Sequence, residues 1–108
     1  MKLLTVILNW RTPEMSLQSA EAALREMEGI DGSITIVDND SGDGSEAKLR
    51  EGVAARRWPE DRVRVLQSGR NGGYGAGNNF GIRAGLPGGG KPDFVYILNS
   101  DAFPDPGA

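Results

Sequence analysis

Four apolar runs punctuate the chain, at 3–8, 34–37, 63–66 and 94–98. Their first residues stand about thirty positions apart, the length of a strand–helix–strand unit. Runs rich in Val, Ile and Leu are what parallel strands covered on both faces require. The third run differs, because Arg62, Val63, Arg64 and Val65 alternate. Alternation leaves one face wetter and assigns that strand to an edge.

The spacers carry helical periodicity. After the start signal Thr12-Pro13, the residues Leu17, Ala20, Leu24 and Met27 recur at helical spacing. Asp43 with Glu46 predicts a capping box at the head of a second helix ending about Ala55. Its apolar stripe is thin, with only Leu49 and Val53. A third helix is predicted from about Gly75 to Ala84. Gly73, Gly77, Gly81 and Gly85 recur every four residues along it and so share one face. Close packing on a sheet and close approach to a ligand both suit such a face. The pattern predicts one α/β domain over 1–108, an open and mainly parallel βαβαβαβ sheet in the order 3-2-1-4, with helices on both faces.

In open α/β sheets, ligands bind beyond the carboxyl ends of the strands. Those ends read Asn9-Trp10-Arg11, Asp38-Asn39-Asp40-Ser41, Arg70-Asn71-Gly72-Gly73 and Asn99-Ser100-Asp101. All four carry amides or carboxylates, and two carry an arginine. Carboxylates suit a divalent cation or a base or ribose donor, while arginines and glycine amides suit phosphate oxygens.

Composition narrows the chemistry. The chain has 16 glycines in 108 residues, no cysteine and no histidine. Thiol nucleophiles, Ser-His pairs, disulfides and structural zinc are therefore excluded. A bound metal should be hard and oxygen-seeking, Mg²⁺ or Mn²⁺. A formal charge of −3 offers no footprint for nucleic acid. No apolar run approaches the roughly 20 residues of a membrane span. The first run is too short for a secretory signal and lacks a cleavage site, so a cytoplasmic location is expected, peripheral at the inner face of the membrane if the acceptor is lipid-linked.

Three near-motifs fail on context. Residues 85–91 match a P-loop, but they run into Pro92 and precede a strand instead of following one. Gly73-Tyr74-Gly75 begins a dinucleotide fingerprint, yet Asn78 stands at its third glycine position and it lies after the third strand. The run 38–43 resembles the start of a calcium loop, whose twelfth position is here Leu49.

Four segments in register remain: Asn9-Trp10, then Asp38 to Ser45, then Asn71 to Asn79, then Leu98-Asn99-Ser100-Asp101. Together they resemble the N-terminal, nucleotide-sugar-binding part of the inverting family-2 glycosyltransferases of GT-A type, particularly the rhamnosyltransferase-like branch. The resemblance covers essentially the whole chain and implies a truncated GT-A, Rossmann-like fold. It implies that Asp38 receives the nucleotide base and that Asn9 and Trp10 line that pocket, with Arg11 and Asn39 in the wider nucleotide-binding set. Asn71, Gly72, Gly73 and Asn78 would lie near the ribose and diphosphate. Asn99 and Asp101 stand at the ends of the family's Asp-any-Asp motif. The first aspartate is here an asparagine, which leaves Asp101 as the metal ligand and Asn99 as a neutral helper.

The implied reaction transfers a sugar, with inversion, from a dTDP- or UDP-sugar to a sugar or lipid-linked acceptor in polysaccharide biosynthesis. Asp105-Pro106 reads as a helix start immediately before the chain stops. The acceptor half and the catalytic base are therefore expected downstream, although Asp40, Asp43 and Asp105 qualify as bases by residue type. The 108-residue chain alone is expected to be inactive, and an assembly of copies through the bare fourth strand is expected. Two other classes share Asp38 and Asp101. One is a nucleotide-binding module without catalysis, and the other a sugar-phosphate nucleotidyltransferase, which would want a basic glycine loop where Asn9 to Pro13 stand. A receiver-like domain lacks its acidic pair after the first strand.

Overall fold

The run at the head of the chain becomes the interior strand on which the rest is laid. In a computed structural model describing residues 2–69 and 74–99, the side chains of Tyr74 and Asn99 excepted, strand β1 (Leu3–Asn9) has a parallel neighbour on each side. These are β2 (Gly32–Asp38) and β4 (Phe94–Asn99), with β3 (Val63–Gln67) beyond β2. The order β3-β2-β1-β4 is the one predicted. β1 and β2 bury nearly every side chain, which explains their unbroken apolar character.

Helices α1 (Pro13–Glu26), α2 (Ser45–Ala55) and α3 (Tyr74–Ala84) alternate with the strands. Leu17 and Ala20 of α1 and Leu49 of α2 pack on Ile7, Ile36 and Val65 over one face. Leu4, Val6, Leu8 and Val37 form the opposite face, closed by Ile82 of α3 and Leu86. The sheet is thus sandwiched as expected. Arg64 of the edge strand ties the sheet to the α3 side, donating through Nε to Thr35 Oγ1 (3.0 Å) and through Nη2 to Gly85 O.

The capping box does not form. Gly44, at φ 85°, holds the N-cap of α2 without a side-chain cap bond. Asp43 Oδ1 accepts instead from Ser45 N (3.1 Å) and Ser45 Oγ (2.5 Å). The left-handed turn at Gly44 starts the helix one residue late, so Glu46 falls too early in the first turn to reach back. It turns outward to Gln67 and Arg50.

The glycine face of α3 proves to be a packing face. A Cβ on Gly77 would collide with Leu8 Cδ1, and one on Gly81 would lie 2.8 Å from Val6 Cγ1 and 3.0 Å from Val37 Cγ2. The absent side chains let α3 sit close on β1 and β2. Gly85, at φ 69°, turns the chain after the helix.

β4 is the open side of the sheet. Phe94, Val95, Tyr96 and Ile97 are 57%, 39%, 45% and 42% exposed, while Leu98 is buried.

Gly81→Ala should destabilise the fold by about 1–2 kcal/mol, because overpacking outweighs the gain in helix propensity. Gly75→Ala, whose added methyl meets nothing within 4 Å, should be neutral or stabilising. Urea unfolding of the two variants checks the pair.

Candidate functional site

Parallel register carries three polar residues to the same level of the sheet. Asn9 pairs with Asp38, and Asp38 pairs with Gln67. Alternation along each strand puts them on the face of Ile7, Ile36 and Val65, beneath the starts of α1 and α2. A charged group in that layer requires hydrogen-bond partners. Asp38 is 2% exposed, and every bond it makes is accepted from a neutral donor. Asn9 Nδ2 (3.0 Å) and Ser41 Oγ (2.6 Å) donate to Oδ1, and Gln67 Nε2 (2.8 Å) donates to Oδ2. Asn9 is itself fixed, since its Oδ1 accepts from Ser16 Oγ at 2.6 Å. An ionised carboxylate offers about four acceptor positions. Three are filled, and the fourth, on Oδ2, receives no donor among the described residues.

Gln67 organises the neighbouring loops. Its Nε2 also donates to Glu46 Oε1 at 3.0 Å, while its Oε1 accepts from Asp40 N and Gly69 N, each at 3.0 Å. A cleft of about 430 Å³ beside it is lined by Asp38, Asp40, Gly42, Glu46, Arg50 and Gln67, among others. The Gln67 and Arg50 hydrogen bonds hold the Glu46 carboxyl below its ordinary value of 4.5. The Ser45 hydroxyl does the same for Asp43, whose ordinary value is 3.8.

Trp10 and Arg11 cross the end of β1. Arg11 adopts φ 62°, and its guanidinium carbon lies 4.5 Å from the centroid of the exposed Trp10 ring. Its backbone N donates to Ser41 Oγ (2.8 Å) and its Nε to Ser41 O (3.1 Å). Ser41 therefore links the Trp10–Arg11 stack to Asp38.

Asn39 faces the other layer, so the expected nucleotide-binding set is divided between the two sides of the sheet. Its Oδ1 accepts from Ser68 Oγ at 2.8 Å and would lie 3.0 Å from a Cβ on Gly77. A second cleft, of about 300 Å³, lies there between Asn39, Ser68, Ala76, Asn79, Phe80 and Arg83. Asn78 on α3 is 4% exposed, and its Oδ1 is buried without a donor. An orphaned acceptor of this kind costs about 1–3 kcal/mol, which a ligand hydroxyl or amine would relieve.

At β4 the backbone pairs Asn99 with Leu8, one residue short of Asn9. The Asn99 side chain lies outside the described residues. So do Arg70, Asn71, Gly72, Gly73, Ser100, Asp101 and Asp105. Among the described residues no three acidic side chains cluster to hold a metal, and no helix is long and apolar enough to cross a membrane. Ser16, Gln67 and Ser68 belong to the site without standing out in the sequence. The one signal for Gln67 is the two-residue period of Val63 and Val65 carried one step further, to the level of Asp38.

The chain matches the family model described as Glycosyl transferase family 2 over residues 14–108. No curated protein sequence matches it. Among solved structures it is similar to the mannosyltransferase PcManGT from Pyrobaculum calidifontis in complex with GDP-Man and Mn²⁺, at 16% identity and a TM-score of 0.75. That match covers 94% of this chain and 28% of the mannosyltransferase chain.

Because Glu46 and Asp43 titrate lower in the folded chain than their ordinary values, they stabilise the fold above about pH 4.5. That contribution is lost as the pH falls through the depressed values. In thermal unfolding from pH 7 to pH 3, Glu46→Gln should flatten part of the acid-side decline.

Proposed function

The chain belongs to glycosyl transferase family 2, and on that premise we propose that it binds the donor of an inverting sugar transfer. The donor is a nucleoside-diphosphate sugar, of the dTDP or UDP type, held with a divalent cation. One observation carries the reading: the strand order reverses between β1 and β4. The crevice at such a reversal is where open α/β sheets bind ligands. Asn9 ends the strand on one side of it, and β4 ends at Asn99 on the other.

Roles follow from the geometry and the family. Asp38, with one acceptor position left, takes a single N–H or O–H donor from the base or ribose. The Trp10–Arg11 stack presents a cation and an aromatic face at the same edge. Asn78 Oδ1 awaits a donor on the α3 side, and Asn71, Gly72 and Gly73 are assigned to the ribose and diphosphate, with Asn99 beside them. The donor chemistry of this edge is oxygen and amide only, which fits Mg²⁺ or Mn²⁺. Asp101 is the residue assigned to hold that cation, which when bound neutralises charge on the departing diphosphate. The similar mannosyltransferase, bound to GDP-Man and Mn²⁺, supports a nucleotide sugar and a cation. It also brings a guanine nucleotide into the test.

The chain spans 28% of that mannosyltransferase, and the proposal concerns donor binding. No described residue is assigned to the sugar or lipid-linked acceptor or to the base that takes its proton. On this reading the 108 residues alone transfer no sugar, and the enzyme works at the cytoplasmic side. The apolar edge of β4 is read as a pairing surface between copies. Sedimentation should show association that grows with concentration, and a lone monomer at high concentration would count against the pairing.

Calorimetric titration with UDP, dTDP and GDP, with and without Mn²⁺, checks the donor role. Binding should depend on Mn²⁺ and weaken by about tenfold or more in Asp38→Ala and Asp101→Ala, the loss of one charged hydrogen bond or ligand. Metal-dependent binding that persists in Asp101→Ala overturns the metal assignment. An unchanged Kd in Asp38→Ala overturns the base assignment.

A further inference from the structure

Gln67 is the one amide in the described chain whose four hydrogen-bonding positions are all seen to be filled by the loops around the site. Its two N–H groups go to two carboxylates, Asp38 Oδ2 at 2.8 Å and Glu46 Oε1 at 3.0 Å. Its two oxygen lone pairs receive the backbone N–H of Asp40 and of Gly69, both at 3.0 Å. An amide contributes two donors and two acceptors, so nothing is left over. The arrangement joins the end of β2, the end of β3 and the first turn of α2 through one neutral group.

We propose that Gln67 is a positioning residue of the donor site, setting the Asp38 carboxylate for the ligand and holding Glu46 apart from it. The inference rests on the donor-binding reading above. Three observations carry it. Asp38 has no cationic partner among the described residues, so its orientation depends on Asn9, Ser41 and Gln67 alone. Oδ1 is fully occupied by Asn9 and Ser41, which makes Oδ2 the atom with room for a ligand donor. Gln67 is the only described group bonded to that atom. It therefore sets the direction in which the open acceptor position points.

The second half of the role is electrostatic. Asp38 and Glu46 would be unshielded like charges if the amide between them were removed, and like charges at short range repel. Gln67 satisfies both with one donor each and adds no charge. Its oxygen meanwhile fixes the turn at Asp40 (φ 57°), where the chain leaves β2. A glutamate at 67 would fit the space but would present a third carboxylate. Protonated, its single O–H could again donate to one of the two.

That asymmetry defines the test. Gln67→Met and Gln67→Glu are compared with the unsubstituted 108-residue chain by calorimetric titration of UDP, dTDP and GDP with Mn²⁺. The titrations run from pH 5 to pH 8, well below each protein's thermal midpoint. Among the described residues, the charged groups around position 67 are Asp38, Asp40, Glu46 and Arg50, with Arg11 across Ser41. The unsubstituted chain reports their own contribution to the pH profile.

In Gln67→Met the nucleotide Kd should rise about tenfold or more at every pH, the loss of a hydrogen bond to a charged group. In Gln67→Glu binding should be as weak at pH 8 and should recover toward the unsubstituted value as the pH falls to 5. A residue that only braces the loops predicts a lower midpoint with unchanged Kd, or a parallel loss in both variants with no recovery in Gln67→Glu. Either result overturns the proposal. Failure of the unsubstituted chain to bind any of the three nucleotides overturns the donor reading, and the role of Gln67 with it.

Discussion

A buried carboxylate with no cation beside it among the described residues is the constraint on which the upper edge of this sheet depends. Asp38 ends an interior strand with 2% of its surface exposed, and three neutral donors hold it. Each comes from a different part of the chain: Asn9 from β1, Ser41 from the loop before α2, Gln67 from β3. Withdrawing any one leaves a charged group short of a partner in a dry layer, a cost of about 1–3 kcal/mol or more. Residues that look like separate loop polarity are therefore one hydrogen-bonded unit. That unit closes only if the three strands pair in the observed register.

The same register explains how a rigid sheet presents an adaptable edge. Below the level of Asn9 and Asp38, β1 and β2 are mostly apolar and buried on both faces. At that level polar side chains take over, and above it the backbone passes into turns with left-handed residues at Arg11, Asp40 and Gly42. Arg11 and Asp40 are not glycine, so the surrounding bonds must hold them there. Ser41 does so for Arg11 and Gln67 for Asp40. The site is built where the packing ends and is anchored to the last packed layer.

The two sides of the sheet divide the work. The α1 and α2 side holds Asn9, Asp38, Gln67 and Glu46 in a continuous network. The α3 side holds Asn39, Ser68 and the unpartnered Asn78, over which glycines bring a helix close to the strands. On the proposed donor-binding reading, a nucleoside diphosphate has chemistry to meet on both.

Much of this was legible in the chain. Four apolar runs at even spacing set the element order, because a parallel strand buried on two faces must be apolar throughout. The alternation of Arg62 to Val65 placed β3 at an edge, where one side chain in two can reach polar partners. The polar residues at each strand end point to one candidate edge, since the open-sheet rule says where ligands bind. The capping box was misread because local spacing cannot see that Gly44 turns left-handed and claims the cap. The glycine repeat was ambiguous until the helix was set against Leu8, Val6 and Val37, since a missing side chain has meaning only relative to what would have met it. Gln67 shows in the sequence only through the period of β3, because three of its four partners are 21, 27 and 29 residues away. Periodicity along a chain determines which residues are buried and which end of a strand is polar. Only the pairing of strands decides which of those polar ends share a proton, a charge or a ligand.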